Sequence, residues 1–587
     1  MWRICTYRDL PASAGVLAHR DGTDILIPRS CRGGTLSYRL TEQPWVPVVD
    51  CDGHALELGL RDVLRRAHQL RWVDAEAPPV TAALHRLLIA VLHRVVEGPR
   101  NRHEWRRLWS AESLPEDRID AYFDDHARAF DLFDDERPFF QCPALADLQA
   151  RSAAQLVHFR AVGNNATLFD QTTAGERLVL SAAEAARWLV TVQAYDPGGL
   201  KTPFTKVKQS QRAPCNNFGT VVVEGDTLKE TLLLNLVLHE PDANEPKHTS
   251  SADRPSWEAE PPSPEPEKRV TKGWLDVLTW QSRRVLLHRT SDEDGATVDG
   301  AVITPGDAME EQLHWVEKMA AFHQPERRSR RSSDEQRQWQ PIQLHRLRGI
   351  WRHAREMLIP EDDFGHIRPH VLNHVADRLA DGFLPTNEVF TIRVFGQQLD
   401  DSGGGSVQTW LQEQLPAPAA LLRAEKVYSD SEHAAVETDS WANGALIGIC
   451  VELADDVGQA IKKLVDRWRE SLSAQHSARE KRNAPYNVGL EQDYWPRLAP
   501  EFDKFLSNLG YAALNASSRE PLVLEWKDTV RNVASVAVDR WAVAVQQRRV
   551  RQLDAVAKHY EWFRGRLHGL CDDFDDKMKS ILPYEGV

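Results

Sequence analysis

From Leu446 to Leu472, apolar residues return every three or four positions: Leu446, Ile449, Cys450, Leu453, Val457, Ile461, Leu464, Trp468 and Leu472. That spacing places them on one stripe of a long helix, and a helix in water is stabilised mainly by packing such a stripe against a neighbour. Further helical stretches follow in DYWPRLAPEFDKFLSNL, DTVRNVASVAVDRWAVAVQQRRVRQLDAV and HYEWFRGRLHGLCDDF, separated by short joints. Long helices joined this way close their stripes on one another. Residues 426–587 are therefore predicted to form a helical bundle.

Upstream the pattern is mixed. PWVPVV reads as a strand, DCDG as a turn, LGLRDVLRRA as a helix, and TAALHRLLIAVLHRVV as a strongly apolar, buried helix. A chain of 587 residues exceeds what one ordinary core supports. The expected organisation is an N-terminal extension (1–39), a mixed α/β domain (40–425) and the bundle, an α+β fold class overall. Glu240 to Lys268, rich in Pro, Glu and Ser, is predicted as a flexible excursion because it has little to bury. PERRSRRSSDEQRQWQ reads as an exposed loop, and so does GQQLDDSGGGSVQTW after the strand EVFTIRVF.

Charge is segregated. The net charge of −14 argues against a protein that coats nucleic acid over its whole surface. Between Asp196 and Arg212, however, Lys201, Lys206, Lys208 and Arg212 face Asp196 alone, a local net of +3. Between Glu326 and Glu356 nine Arg face four acids, a local net of +5. Screening confines fields to about 10 Å at moderate salt, so an acidic body can carry basic contact loops. No apolar run reaches the roughly 18 residues needed to span a bilayer, and the N-terminus lacks a signal-type apolar segment. A cytoplasmic location is expected, with no membrane partner. The seven cysteines, Cys5, Cys31, Cys51, Cys142, Cys215, Cys450 and Cys571, form no CxxC pair, so reduced thiols are expected.

Catalytic signatures are missing: the chain has no GxGxxG, GxxxxGK[ST], HExxH or GxSxG. HIRPHVLNH spaces His366, His370 and His374 four apart, but Pro369 breaks the helix that would align all three. No metal and no cofactor are predicted. FDLFDDERPFFQ, Phe130 to Gln141, crowds Asp131, Asp134, Asp135 and Glu136 together. Acid/base pairs need carboxyls held several ångströms apart across a substrate, which adjacency does not provide. The flanking phenylalanines are predicted to enter the core around a charged turn. Three loops are left as candidate contacts. Gly198 and Gly199 allow close backbone approach to a polymer, with Lys201, Lys206 and Lys208 to attract phosphate. GNNATLF offers Asn164, Asn165 and a stacking Phe169. Gln397 and Gln398 are read as amides in a loop.

PWVPVVDCDG, FDLFDDERPFFQ, GNNATLF, TLLLNLV, LTWQSRRVLL and the C-terminal helices, in this order, resemble the CasA family, the large subunit of the type I-E CRISPR surveillance complex Cascade. The resemblance spans roughly Leu40 to the C-terminus and implies a four-helix bundle behind the mixed domain. It implies a non-catalytic subunit that sits at the crRNA 5′ end, recognises the protospacer-adjacent motif in double-stranded DNA and helps open the duplex. Its partners would be crRNA, the target duplex, the other Cascade subunits and a recruited helicase-nuclease. By loop order, the family's motif-reading glycine loop falls on Gly198 and Gly199 with Lys201. Its glutamine wedge falls on Gln397 or Gln398, and its crRNA-handle and subunit contact on Asn164, Asn165 and Phe169. A motif-contacting lysine falls on Lys318. The glycine run is shorter here, its continuation is more basic, and no cysteine cluster follows LTWQ. The alternative function is a helical-bundle interaction scaffold with no nucleic-acid role.

Overall fold

The computed structural model describes residues 37–158, 178–238, 252–292, 295–324, 339–345, 349–360, 365–399, 407–423, 433–472, 486–515, 517–548 and 553–582. The described residues open with a three-stranded antiparallel sheet in which Val46–Asp50 lies between Ala55–Leu58 and Leu70–Val73. Gly53 turns the first hairpin at φ 90°, a conformation that favours glycine. The predicted apolar helix is Pro78–Val95, and it is buried along almost its whole circumference. Proline at its start is compatible with the free N–H positions of a first turn. Its Arg86 is buried and pairs with Glu317 at 2.9 Å.

FDLFDDERPFFQ frames the core. Phe130, Phe133, Phe139 and Phe140 are all buried. Asp134 and Glu136 pair with Arg128, both at 3.0 Å, and Asp135 with Arg289 at 2.8 Å. Those carboxylates are thus committed to a charged turn. Asp131 instead accepts from the backbone N–H of Tyr38 at 3.0 Å and of Phe133 at 2.9 Å.

Part of the Pro/Glu-rich stretch is a correction to the sequence reading. Residues 239–251 lie outside the described residues, but 252–268 are anchored. Trp257 is buried against Phe130, with ring centroids 5.3 Å apart, and Glu258 takes both ends of the Arg94 guanidinium at 2.7 Å. Arg284 adds a bond to the Ser263 carbonyl at 2.7 Å, and Lys268 pairs with Ala308, so a segment whose average composition suggested a flexible chain is held in place.

Two long hairpins carry the rest of the mixed region. Arg283–Asp292 pairs with Gly295–Pro305, and Val389–Leu399 pairs with Val407–Pro418 while also accepting Thr220–Glu224 on its other edge. Behind them stand four long helices, His433–Leu472, Tyr486–Leu514, Glu520–Arg548 and Leu553–Ile581. Their cross-links fix an up-down-up-down order. Glu452 meets Lys577 while Arg467 meets Trp562, and Lys504 meets Glu525 while Asp493 meets Arg540. Cys450 meets Trp526 while Trp468 meets Trp541, so the first and third helices run parallel. Every residue of the predicted stripe from Leu446 to Trp468 is buried.

The bundle is seated on the mixed region by Trp351, whose ring lies 4.9 Å from Phe502, 5.9 Å from Trp526 and 6.1 Å from Trp495. Beside it Arg352 is paired with Asp455, and Glu413 accepts from the N–H of Ile350. Ser37–Val587 forms one unit with a continuous core running from Leu40 to Met578.

Candidate nucleic-acid interface

The glycine loop is a short ribbon standing on a buried ion pair. The helix Ala182–Tyr195 begins at a capping box of Ser181 and Glu184 and ends at Asp196. Gly198 and Gly199 follow at φ 86° and 92°, and Gly199–Leu200 then pairs antiparallel with Gln209–Ser210. The Lys201 N–H donates to the Lys208 carbonyl at 2.9 Å, extending the ladder by one rung. A Cβ on Gly198 would lie 2.9 Å from the Ser210 carbonyl oxygen, so the returning strand passes where only glycine fits.

Asp196 organises the base. Its carboxylate accepts from the Gly198 N–H at 2.8 Å, from Lys201 Nζ at 2.7 Å and from Arg283 at 2.7 Å. Burial alone would raise this carboxyl, but Arg283 and Lys201 outweigh it and hold it well below the usual carboxylate range. Arg283, only 2% exposed, also donates to the Gln211 carbonyl at 2.6 Å. The Asp196 carbonyl accepts from Asn216 Nδ2 at 2.7 Å and from the Ala213 N–H at 2.9 Å. Both ends of the ribbon are therefore tied to one charge cluster, which makes it a rigid projection. His158 stacks edge-on against Trp188 at 5.7 Å nearby, and burial pushes its imidazole down to about 4, so it stands neutral.

Of the predicted contacts, Gly198, Gly199, Lys201, Lys206 and Lys208 come together on this ribbon. Lys206 and Lys208 are exposed, whereas Lys201 is folded back onto Asp196 and stabilises the base. Three other placements are corrected. Gln397 and Gln398 are not in a loop; they lie within the strand Val389–Leu399, paired with Trp410 and Thr409. Gln397 is 9% exposed and donates to the Tyr195 carbonyl at 2.7 Å and to Asn216 Oδ1 at 2.6 Å, so it braces the ribbon's base from within. Lys318, 3% exposed, lies inside, its Nζ 3.4 Å from the Trp315 carbonyl. Asn164, Asn165 and Phe169 lie outside the described residues.

The histidines of HIRPHVLNH do not converge. His366 sits in a short strand with Nε2 2.9 Å from the Ile359 carbonyl. His374, on the helix His370–Ala380, reaches the Leu233 carbonyl at 3.3 Å. Asp50, Asp52 and His54 gather in the first turn, but Asp50 is engaged by the N–H groups of Asp52 and His54.

Residues 40–537 match the family model described as CRISPR-associated protein Cse1. The chain is 29% identical over 517 residues to the CRISPR-associated protein CasA/Cse1 of Thermus thermophilus, covering 85% of this chain and 93% of that one. Among solved structures, Cse1 from Acidimicrobium ferrooxidans superposes with a TM-score of 0.72 at 26% identity, covering 92% of this chain and 100% of the other. Thermus thermophilus CasA gives 0.71 at 26% identity, covering 91% and 99%. Fold and matches together define a CRISPR-associated protein built as a mixed α+β region with a C-terminal helical bundle. The chain belongs to the Cse1 family, also called CasA.

Proposed function

We propose that this chain is the large subunit of a type I-E Cascade complex and that the 196–212 ribbon reads the protospacer-adjacent motif in duplex DNA. The observation that carries the reading is the ribbon itself: two left-handed glycines and two exposed lysines, projected by a buried Asp196–Arg283 pair. A bare backbone edge can approach a minor groove closely, and lysines beside it engage the phosphates. The groove offers mostly A·T-versus-G·C information, so a small site gives modest discrimination. The subunit's work is then binding and duplex opening rather than covalent chemistry, and pairing with the guide RNA offsets the unstacking. Its remaining partners are the companion subunits, the crRNA 5′ end through Asn164, Asn165 and Phe169, and a helicase-nuclease recruited after opening. A cytoplasmic setting follows from those partners, and no helix among the described residues is long and apolar enough to cross a membrane.

The test is reconstitution with crRNA and the companion subunits. The complex containing this chain should bind motif-bearing duplex more tightly than one with a scrambled motif. The complex lacking the chain should lose that preference. Purification without any associated RNA or companion subunit would instead favour the scaffold reading.

A further inference from the structure

The turn of the ribbon is held from the side as well as from its base. Beyond the rung between Lys201 and Lys208, the Phe204 ring packs with Leu148, Ala150 and Leu286 onto a small separate cluster of Cys142, Leu145 and Val302. The next residue, Thr205, donates its hydroxyl to the Glu265 carboxylate. Glu265 belongs to PPSPEPEK, residues 261–268, where Pro261, Pro262, Pro264 and Pro266 fix φ and stiffen the chain. That stretch is bound along its length. The Pro262 carbonyl accepts from the Cys142 thiol at 3.2 Å, the Ser263 carbonyl accepts from Arg284 at 2.7 Å, and the Glu267 N–H donates to Asp307 at 3.1 Å. Arg283 and Arg284 open the same strand, and successive strand residues point to opposite sides. Arg283 fixes the ribbon's base at Asp196 and Gln211, while Arg284 fixes the proline-rich stretch at Ser263 and Asp307.

We infer that the 261–268 stretch is a strut for the ribbon, and that Glu265 is a positioning residue which, through Thr205, sets where Lys206 and Lys208 stand. The inference rests on the duplex-reading assignment and adds the part of the chain that aims its cations. Lys206 directly follows Thr205, and Lys208 supplies the carbonyl of the last rung, so both lysines lie on the short span between tie and ladder. Both are exposed, and neither has an acidic partner among the ion pairs of the described residues. Their placement therefore comes from the backbone that carries them. A long cationic side chain on a loose backbone must be ordered when it meets a phosphate, and fixing the backbone beforehand removes part of that cost. Glu265 also places a negative charge on the lysines' own loop, which by charge alone would oppose a polyanion. Its value to a DNA-reading surface is then the hydrogen bond it accepts.

The test uses the complex assembled with crRNA and a motif-bearing duplex. Thr205→Val keeps size and charge but removes the donor, and should weaken duplex binding about fivefold, because two loosened lysines must then be ordered. Thr205→Ser, which keeps the hydroxyl, should restore wild-type binding. Glu265→Ala separates positioning from plain electrostatics. Removing an acid beside lysines strengthens attraction for phosphate if charge is all that matters, whereas loss of the tie predicts binding about fivefold weaker. Glu265→Gln still accepts from Thr205 and should bind at least as well as wild type. Hydrogen exchange at the Lys201 amide should quicken in Thr205→Val and Glu265→Ala, stay unchanged in Thr205→Ser and Glu265→Gln, and do so with no change in thermal midpoint. If Thr205→Val and Glu265→Ala bind as wild type or tighter while Lys206→Ala/Lys208→Ala binds more weakly, the strut falls and duplex reading by the ribbon stands. If the lysine variant also binds as wild type, the ribbon reading falls with it. Equal losses in Thr205→Ser and Thr205→Val would show that the hydroxyl tie is not what places the lysines, and would overturn the role of Glu265.

Discussion

Asp196 shows how much a single buried carboxylate can determine. It holds Gly198, Lys201 and Arg283 at once, and removing its charge leaves the Arg283 guanidinium in the interior without its ion-pair partner. Breaking a buried pair from one side costs about 3 kcal/mol or more, so Asp196→Asn should lower the urea midpoint clearly, whereas Asp135→Asn, in an exposed pair, should leave it nearly unchanged. Glu413 gives a pH prediction. Burial raises its carboxyl to about 7, with Asp503 of the bundle adding to the rise against the Ile350 N–H. The folded state thus holds the proton more tightly than the unfolded chain does. The stability this contributes is present in full below the ordinary glutamate value and is lost as pH climbs to about 7. Glu413→Gln, neutral throughout, should stabilise the protein at pH 8 by on the order of 2 kcal/mol and have little effect at pH 4. Melting curves at both pH values measure this. Neither residue was legible as a determinant in the sequence. Asp196 counted only as one acid among four bases, and its partner Arg283 lies 87 residues away at the start of the strand Arg283–Asp292.

At the level of elements, legibility followed periodicity. Asp493 to Leu509, the middle of the helix Tyr486–Leu514, could be predicted despite Pro496 and Pro500, because Tyr494, Leu498, Phe502, Phe505 and Leu509 keep the stripe, and all are buried. The strand around Gln397 was not legible past Phe395, because Gly396 looks like the start of a loop. In the fold Gly396 is inside the strand, where a Cβ would approach Leu344 Cδ1 at 3.3 Å. Glycine there marks a close approach rather than a chain end. Gly-Gly followed by lysines is a local signal that the sequence shows directly, but the ties at the ribbon's base are long-range. Gly198 and Gly199 also differ in what they tolerate. Alanine at Gly199 meets nothing within 4 Å and bears only the left-handed penalty, about 1–2 kcal/mol. Alanine at Gly198 must in addition displace the Ser210 and Arg212 backbone. Hydrogen exchange at the Lys201 amide should therefore accelerate far more in Gly198→Ala than in Gly199→Ala.

On the scale of the whole molecule, the bundle and the mixed region meet through Trp351. It is buried on the mixed side and touches rings from the second and third bundle helices. Truncating a buried tryptophan costs about 3–5 kcal/mol, so Trp351→Ala should lower the thermal midpoint and expose the 360–423 region to protease before the bundle itself unfolds. The division into a mixed region and a bundle was readable from composition and period. The aromatic seat joining them was not, because Trp351, Trp495, Phe502 and Trp526 come from three separate segments.

The reading of the ribbon as a phosphate-gripping, duplex-reading element is most directly tested by the salt dependence of duplex binding. Each lysine–phosphate contact in B-DNA contributes about 0.9 to the slope of log affinity against log salt. The assembled complex carrying Lys206→Ala/Lys208→Ala should show a slope shallower than wild type by about 1.8, with weaker binding at low salt and unchanged folding. An unchanged slope and affinity in that variant would contradict the account.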